Sequence, residues 1–286
     1  MAIRRGDRSC PRLKKRGLVP YFAHESSWRE TARPLEMIFW PVLPLPWEIE
    51  EAREKIFFLE KVLGKRPVPD FARIMLFRNF PYQYMSLKAR GFPLVPVIIS
   101  HDYDEAMSKA EHATAPLLFR SEQEPQAARE ELLFTGREMK KKISHAFRLG
   151  VPGRWPGHRD KQCVILMNAP EKEDLRGIFT CAGPYGAFGC GSSPGTGKES
   201  LAGQLWDLAS GVRAVDGFQD CVLEFRYNQK TGRLLLETVH PLIPGMAGPL
   251  SFGDCYLFDG GNESPVRVSG IPHVEKILIE GLFQGE

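Results

Sequence analysis

The sequence predicts an α+β fold: a helix-rich N-terminal half with one or two short strands, and a C-terminal half of mostly antiparallel sheet with hairpins. Three observations predict it. Before residue 150, apolar residues recur at helical spacing in several segments. Beyond residue 160 the period changes to two, as in "QCVILMN" and "RGIFTCA". The stretch "DCVLEFRYNQKTGRLLLETVH" carries two alternating runs joined by Asn228 to Gly232, the pattern of a hairpin.

Residues 1–34 are polar, basic and aperiodic and read as a flexible arm. Residues 35–150 form the helix-rich region and 151–286 the sheet-rich region, either fused into one domain or separate, with "GVPGRWPGHRDK" as the seam. "PLEMIFWPVL" reads as a first strand or extended core segment. "PWEIEEAREKIFFLEKVLGK" is the clearest helix: Pro46 suits its first turn, Glu48, Glu50 and Glu51 favour its positive end, and Gly64 suits its C-terminal cap. Ile49, Ala52, Ile56, Leu59 and Leu63 line one face. A second helix falls within 69–90 and must break or end at Pro81.

"PLVPVIIS" is a short buried strand and "HDYDEAMSKAEHA" the helix after it. A long helix is expected over about 122–149, opened by Ser121 and Glu124 as a capping box and stopped by Gly150 and Pro152. Further on, "DCYLFDGGNESPVRVSG" reads as a second hairpin. Helices are expected near 198–210, with Leu201, Leu205 and Leu208 inward, and near 273–282. No internal repeat is visible.

The composition, 43% hydrophobic and 26% charged, argues against wholesale disorder. The longest apolar stretch, residues 37–47, is too short to span a bilayer and holds three prolines. Six cysteines without a C-x-x-C pair fit an intracellular, reducing compartment and argue against structural zinc. The cytoplasm is favoured, while the Arg-rich, acid-poor N-terminus also fits an organelle transit peptide.

The net charge of +3 conceals an asymmetry. Residues 1–20 and 137–161 together hold fifteen basic and three acidic residues, a charge of +12, which leaves −9 on the rest. Arg4, Arg5, Lys14, Lys15 and Arg16 carry the first block. Lys140, Lys141, Lys142, Arg148, Arg154 and Arg159, interleaved with Trp155, carry the second. Cations that neutralise phosphates beside aromatics that stack on bases are the chemistry of a polyanion surface. The leading expectation is therefore a non-catalytic binding or assembly protein acting on nucleic acid or a nucleoprotein complex, or tethered to an acidic protein partner. No cofactor is predicted.

"GCGSSPGTGKES", residues 189–200, raises two catalytic alternatives. Pro194, Gly195, Thr196, Gly197 and Lys198 resemble the P-loop of AAA+ ATPases over about nine residues, which implies phosphate binding by Gly195, Gly197 and Lys198. That loop needs a buried strand before it, and "GPYGAFGCG" reads as too glycine-broken to supply one. It also needs a later apolar run ending in an acid; "CVLE" (Glu224) and "LLLE" (Glu237) qualify but lie in the hairpin. Read as G-x-S-x-G, the same stretch makes Ser193 a hydrolase nucleophile with Asp259 and His273 behind it. The plainest reading is a glycine-rich turn that opens a helix.

Asp102 and Asp104 form a D-x-D that resembles the metal-binding motif of GT-A glycosyltransferases, implying a metal-dependent transferase. The simpler reading makes Asp102 a helix cap with Glu105 completing a capping box.

Overall fold

The computed structural model describes residues 28–40, 42, 45–120, 130–152, 159–160, 163–190, 198–243, 254–258 and 266–268. The fold is α+β. A short helix α1 (Trp28–Ala32) leads into strand β1 (Met37–Phe39), which pairs in parallel with β2 (Arg66–Val68). Helix α2 (Pro46–Phe57) makes the crossover between them and ends in a π-helical turn, Phe58–Val62. Its inward residues Ile49, Ala52, Ile56 and Leu59 are buried with Trp28, Ile38 and Trp40. Gly64 adopts φ 62°, the left-handed geometry the sequence assigned to it.

Pro81 does divide the segment 69–90, by opening a helix rather than closing one. Helix α3 (Phe71–Leu76) is capped by Asp70, whose carboxylate accepts from the Arg73 amide at 2.7 Å. Helix α4 (Phe80–Lys88) is capped by Asn79, with Pro81 in its first turn, where a missing N–H costs nothing.

A four-stranded antiparallel sheet follows, in the order β3 (Val97–Ser100), β8 (Val164–Asn168), β4 (Leu117–Arg120) and β5 (Glu131–Leu133). Helices α5 (Tyr103–His112) and α6 (Gly136–Leu149) cover one face, burying Ala106, Ala110, Met139 and Ile143 against Leu117, Phe119, Val164 and Leu166. The other face carries Leu118, Ile165 and Met167 and packs on Phe80 and Tyr84 of α4. Strand β8 comes from beyond the seam and sits in the middle of this sheet. A two-residue ladder joins β6 (Val151–Pro152) to β7 (Arg159–Asp160).

The long helix expected from residue 122 is shorter. It begins at Gly136, where Thr135 and Glu138 form the capping box, and Glu131–Leu133 is strand instead. Pairing of Leu133 with Leu117 buries that leucine in the sheet, a tertiary contact that overrides the helical spacing. Ser121 and Glu124 lie outside the described residues. Gly150, with φ 77°, ends α6 as expected.

The second sheet has six antiparallel strands in the order β12 (Arg233–Pro241), β11 (Cys221–Asn228), β9 (Asp174–Ala182), β10 (Tyr185–Cys190), β13 (Asp254–Leu257) and β14 (Val266–Val268). Both expected hairpins are present, β11–β12 and β13–β14. Helix α7 (Lys198–Arg213) lays Leu201, Leu205 and Ala209 on Phe179, Leu223, Phe225 and Leu236. The edge of β12 is covered by residues 93–95, because the Val95 amide donates to Leu236 O and the Leu236 amide to Pro93 O, each at 2.8 Å.

Strand β10 corrects the reading of "GPYGAFGCG" as strandless. Its glycines are there for close approach: a Cβ on Gly186 would lie 2.5 Å from Phe179 Cζ and 2.6 Å from Phe258 Cε2. Residues 191–197 and the helix expected near 273–282 lie outside the described residues.

Candidate functional site

Alternation in β11 and β12 sorts two chemistries onto two faces. Leu223, Phe225, Leu236 and Val239 point to the core under α7. Glu224, Arg226, Thr238 and His240 take the opposite face, together with Arg176 and Thr180 of β9. That face meets the four-stranded sheet on the side of Leu118 and Arg120, with Leu235 packed into the shared apolar cluster. Polar residues therefore gather where the two sheets come together.

A β-bulge shapes the gathering. Glu224 pairs with Thr238 and Phe225 with Leu236, so Glu237 is the extra residue on β12 and is aimed separately. It is 2% exposed and lies between two guanidinium groups. Arg176 Nε and Nη2 donate to its Oε2 at 3.0 and 2.7 Å, and Arg226 Nε donates to its Oε1. Arg176 also grips Glu130, just before β5, with Nη1 and Nη2 donating at 2.9 and 3.1 Å. This bidentate pair ties the six-stranded sheet to the four-stranded one. Burial alone would lower the Arg176 pKa, but Glu130 and Glu237 outweigh it and raise it.

Glu224 lies near Arg120. It is 12% exposed, accepts a hydrogen bond from the Thr238 hydroxyl, and has His240 Nε2 3.7 Å from its Oε1. Burial pushes its carboxyl up, yet His240, Arg120 and Thr238 together hold it below the ordinary glutamate range, so it is ionised at neutral pH. Arg120 ends β4, its guanidinium 4.9 Å above the Phe80 ring and 4.0 Å from Glu130. Among the described residues, Arg226 Nη2, His240 Nε2 and Thr180 Oγ1 are buried without a hydrogen-bond partner.

A divalent cation fits this donor set poorly. Magnesium requires several oxygens free to coordinate it. Here both oxygens of Glu130 and of Glu237 accept from arginine, and Glu224 is held by Thr238 and faces His240. No group of three or more His, Cys, Asp or Glu among the described residues is placed to hold a metal ion.

The residues singled out from sequence fall elsewhere. Asp102 caps α5, accepting from the Glu105 amide at 2.7 Å, and Asp104 is an exposed residue of its first turn. Glu105 does not close the expected capping box; its carboxylate accepts from Ser100 Oγ instead. Lys140 pairs with Glu111 at 2.7 Å, and Lys142 pairs with Glu131. Lys141 and Arg148 border an open groove of about 960 Å³ beside α6, on the side of that sheet away from Arg120. Arg159 reaches back to Gly150 O at 3.3 Å. Lys198 is the first residue of α7. Arg4, Arg5, Lys14, Lys15, Arg16, Arg154, Trp155, Ser193, Gly195, Gly197, Asp259 and His273 lie outside the described residues.

No protein-family model and no curated protein matches the sequence. Solved structures do match the fold. The chain resembles the RimK domain ATP-grasp protein from Sphaerobacter thermophilus (12% identity, TM-score 0.50), covering 72% of each chain. It resembles D-alanyl-alanine synthetase A from Vibrio cholerae (13%, TM-score 0.52), covering 76% of this chain and 69% of that one. The biotin carboxylase domain of the Hydrogenobacter thermophilus 2-oxoglutarate carboxylase, solved with MgADP, ADP and bicarbonate, matches at 16% identity and TM-score 0.53 over 73% of this chain and 49% of that one. At these identities the likeness is one of fold. The chain spans less than two thirds of the length of several of the solved proteins it matches, from 49% to 64%.

This fold overturns the expectation of a non-catalytic protein working on nucleic acid or a nucleoprotein complex: the neighbours are an ATP-grasp domain protein, a synthetase and a biotin carboxylase domain, not nucleic-acid-binding proteins. The serine-hydrolase and metal-dependent transferase alternatives fall with it, the latter also because Asp102 is spent on a cap. Among the described residues, no helix is long and apolar enough to cross a membrane.

Proposed function

We propose that the chain is an ATP-dependent enzyme of the ligase type that binds an adenine nucleotide where the two antiparallel sheets meet. The observation that carries this reading is the charged cluster of Arg120, Glu224, Arg226 and His240 at that junction, in a chain whose fold neighbours include a synthetase and a carboxylase domain solved with ADP. Phosphoryl groups are recognised by planar guanidinium donors and stabilised by fixed positive charge. Arg120 and Arg226 supply such donors from opposite sheets. Glu224, ionised at neutral pH, orients Thr238 and His240 beside them. Cys181 and Cys221 face each other as thiols, their Sγ atoms 3.3 Å apart and not joined as a disulfide, which fits a reducing compartment.

The test is turnover. ADP release from ATP is followed with panels of carboxylic acids and amines, for the wild type and Arg120→Gln. Acid-dependent ADP release that drops by about a hundredfold in Arg120→Gln is expected, the scale of losing one charge-stabilising donor. No ADP release with any pairing, together with no nucleotide binding, defeats the reading.

A further inference from the structure

We propose that this site holds the phosphates of its nucleotide directly on Arg226, His240 and Arg120, without a bridging divalent cation. The inference rests on the nucleotide reading above and deepens it.

The first ground is the state of the carboxylates. Each oxygen of Glu237 and Glu130 already accepts from a guanidinium, and the bulge at Glu237 aims it at Arg176 and Arg226. Glu224 remains as one carboxylate facing a histidine. Among the described residues a hard cation would therefore find only the Glu224 carboxylate not taken up by arginine. The second ground is the unmet donors. Arg226, 4% exposed, has its Nη2 buried without a hydrogen-bond partner, and His240 Nε2, 3.7 Å from Glu224 Oε1, makes no hydrogen bond either. Buried donors want acceptors, and phosphate oxygens are strong ones.

These arrangements give Glu224 opposite roles under the two modes of binding. With a bridging cation, the Glu224 carboxylate is needed and its loss weakens nucleotide binding. With direct binding, Glu224 is a negative charge near the phosphates, competing for His240 and Arg120, and neutralising it strengthens binding.

The experiment is calorimetric titration of the full chain with ADP, in excess magnesium and in excess EDTA, for wild type, Glu224→Gln and His240→Gln. Direct binding gives wild-type affinities within about twofold in the two buffers, and tightening on the order of tenfold in Glu224→Gln. His240→Gln weakens binding in EDTA while its melting curve stays cooperative, which separates lost binding from lost folding. ADP binding only with magnesium, with affinity lost in Glu224→Gln, overturns the inference and leaves the nucleotide reading standing. No ADP binding in either buffer overturns both.

Discussion

Glu237 and Glu224 are neighbours in space with different duties. Glu237 compensates buried guanidinium charge, and its partner Arg226 is almost fully enclosed. Removing one member of such a pair leaves an uncompensated buried charge, at a cost of about 3–5 kcal/mol. Glu237→Gln should lower the unfolding free energy by about that amount in urea titration, and a loss under about 1 kcal/mol would mean the pair is not enclosed in solution. For Glu224 the effect depends on pH. Its carboxyl titrates lower in the folded chain than in the unfolded one. The stabilisation is therefore complete above the unfolded value, about 4.3, and fades as pH falls through the folded value. The stability gap between wild type and Glu224→Gln should be flat near neutrality and close under acid; a gap constant to pH 3 would contradict the assignment. Both carboxylates were legible as acids closing "CVLE" and "LLLE", but not as the partners of Arg176, Arg226 and His240 that they are. Arg120 was not legible, because a single cation ending "PLLFR" gives no periodic signal; only the burial of all of β4 exposes its role.

At the scale of elements, sequence told most where local chemistry decides. The Asp102 cap, the Gly64 and Gly150 ends and the β11–β12 turn at Asn228–Gly232 all form as read. It told least where distant packing decides. Strand β5 took helical-looking residues because Leu117 pairs with Leu133, and β10 kept its glycines because Phe179 and Phe258 press on the backbone. Phe258 in turn stacks on Trp206 of α7 with centroids 4.2 Å apart. Gly186→Ala should thus cost about 1–3 kcal/mol by overpacking, read as a shifted denaturation midpoint with an altered near-ultraviolet signal from Trp206. An unchanged midpoint would mean the rings do not sit on β10. Thr135→Ala should cost about 1 kcal/mol, since the hydroxyl caps the Glu138 amide.

For the whole molecule, α+β class and the two hairpins were readable in advance, whereas the meeting of two sheets was not. Strand β8 crosses the expected seam to pair with β3 and β4, and no local pattern announces partners 45 to 70 residues away. The basic blocks draw the reading to residues 1–20 and 137–161, whereas the charged cluster at the sheet junction is buried and leaves no charge run in the sequence. A ligand bound at the junction contacts both sheets and must stabilise them together. ATP at a hundredfold excess over its dissociation constant should add about 2.7 kcal/mol and raise the melting temperature by several degrees. The most direct measurement is photolabelling with 8-azido-ATP, competed by ATP and mapped by peptide sequencing. Competable label within residues 93–120, 163–168 or 221–241 is the expected result. Label confined to the groove beside α6, or label that ATP does not compete, would overturn nucleotide binding between the sheets.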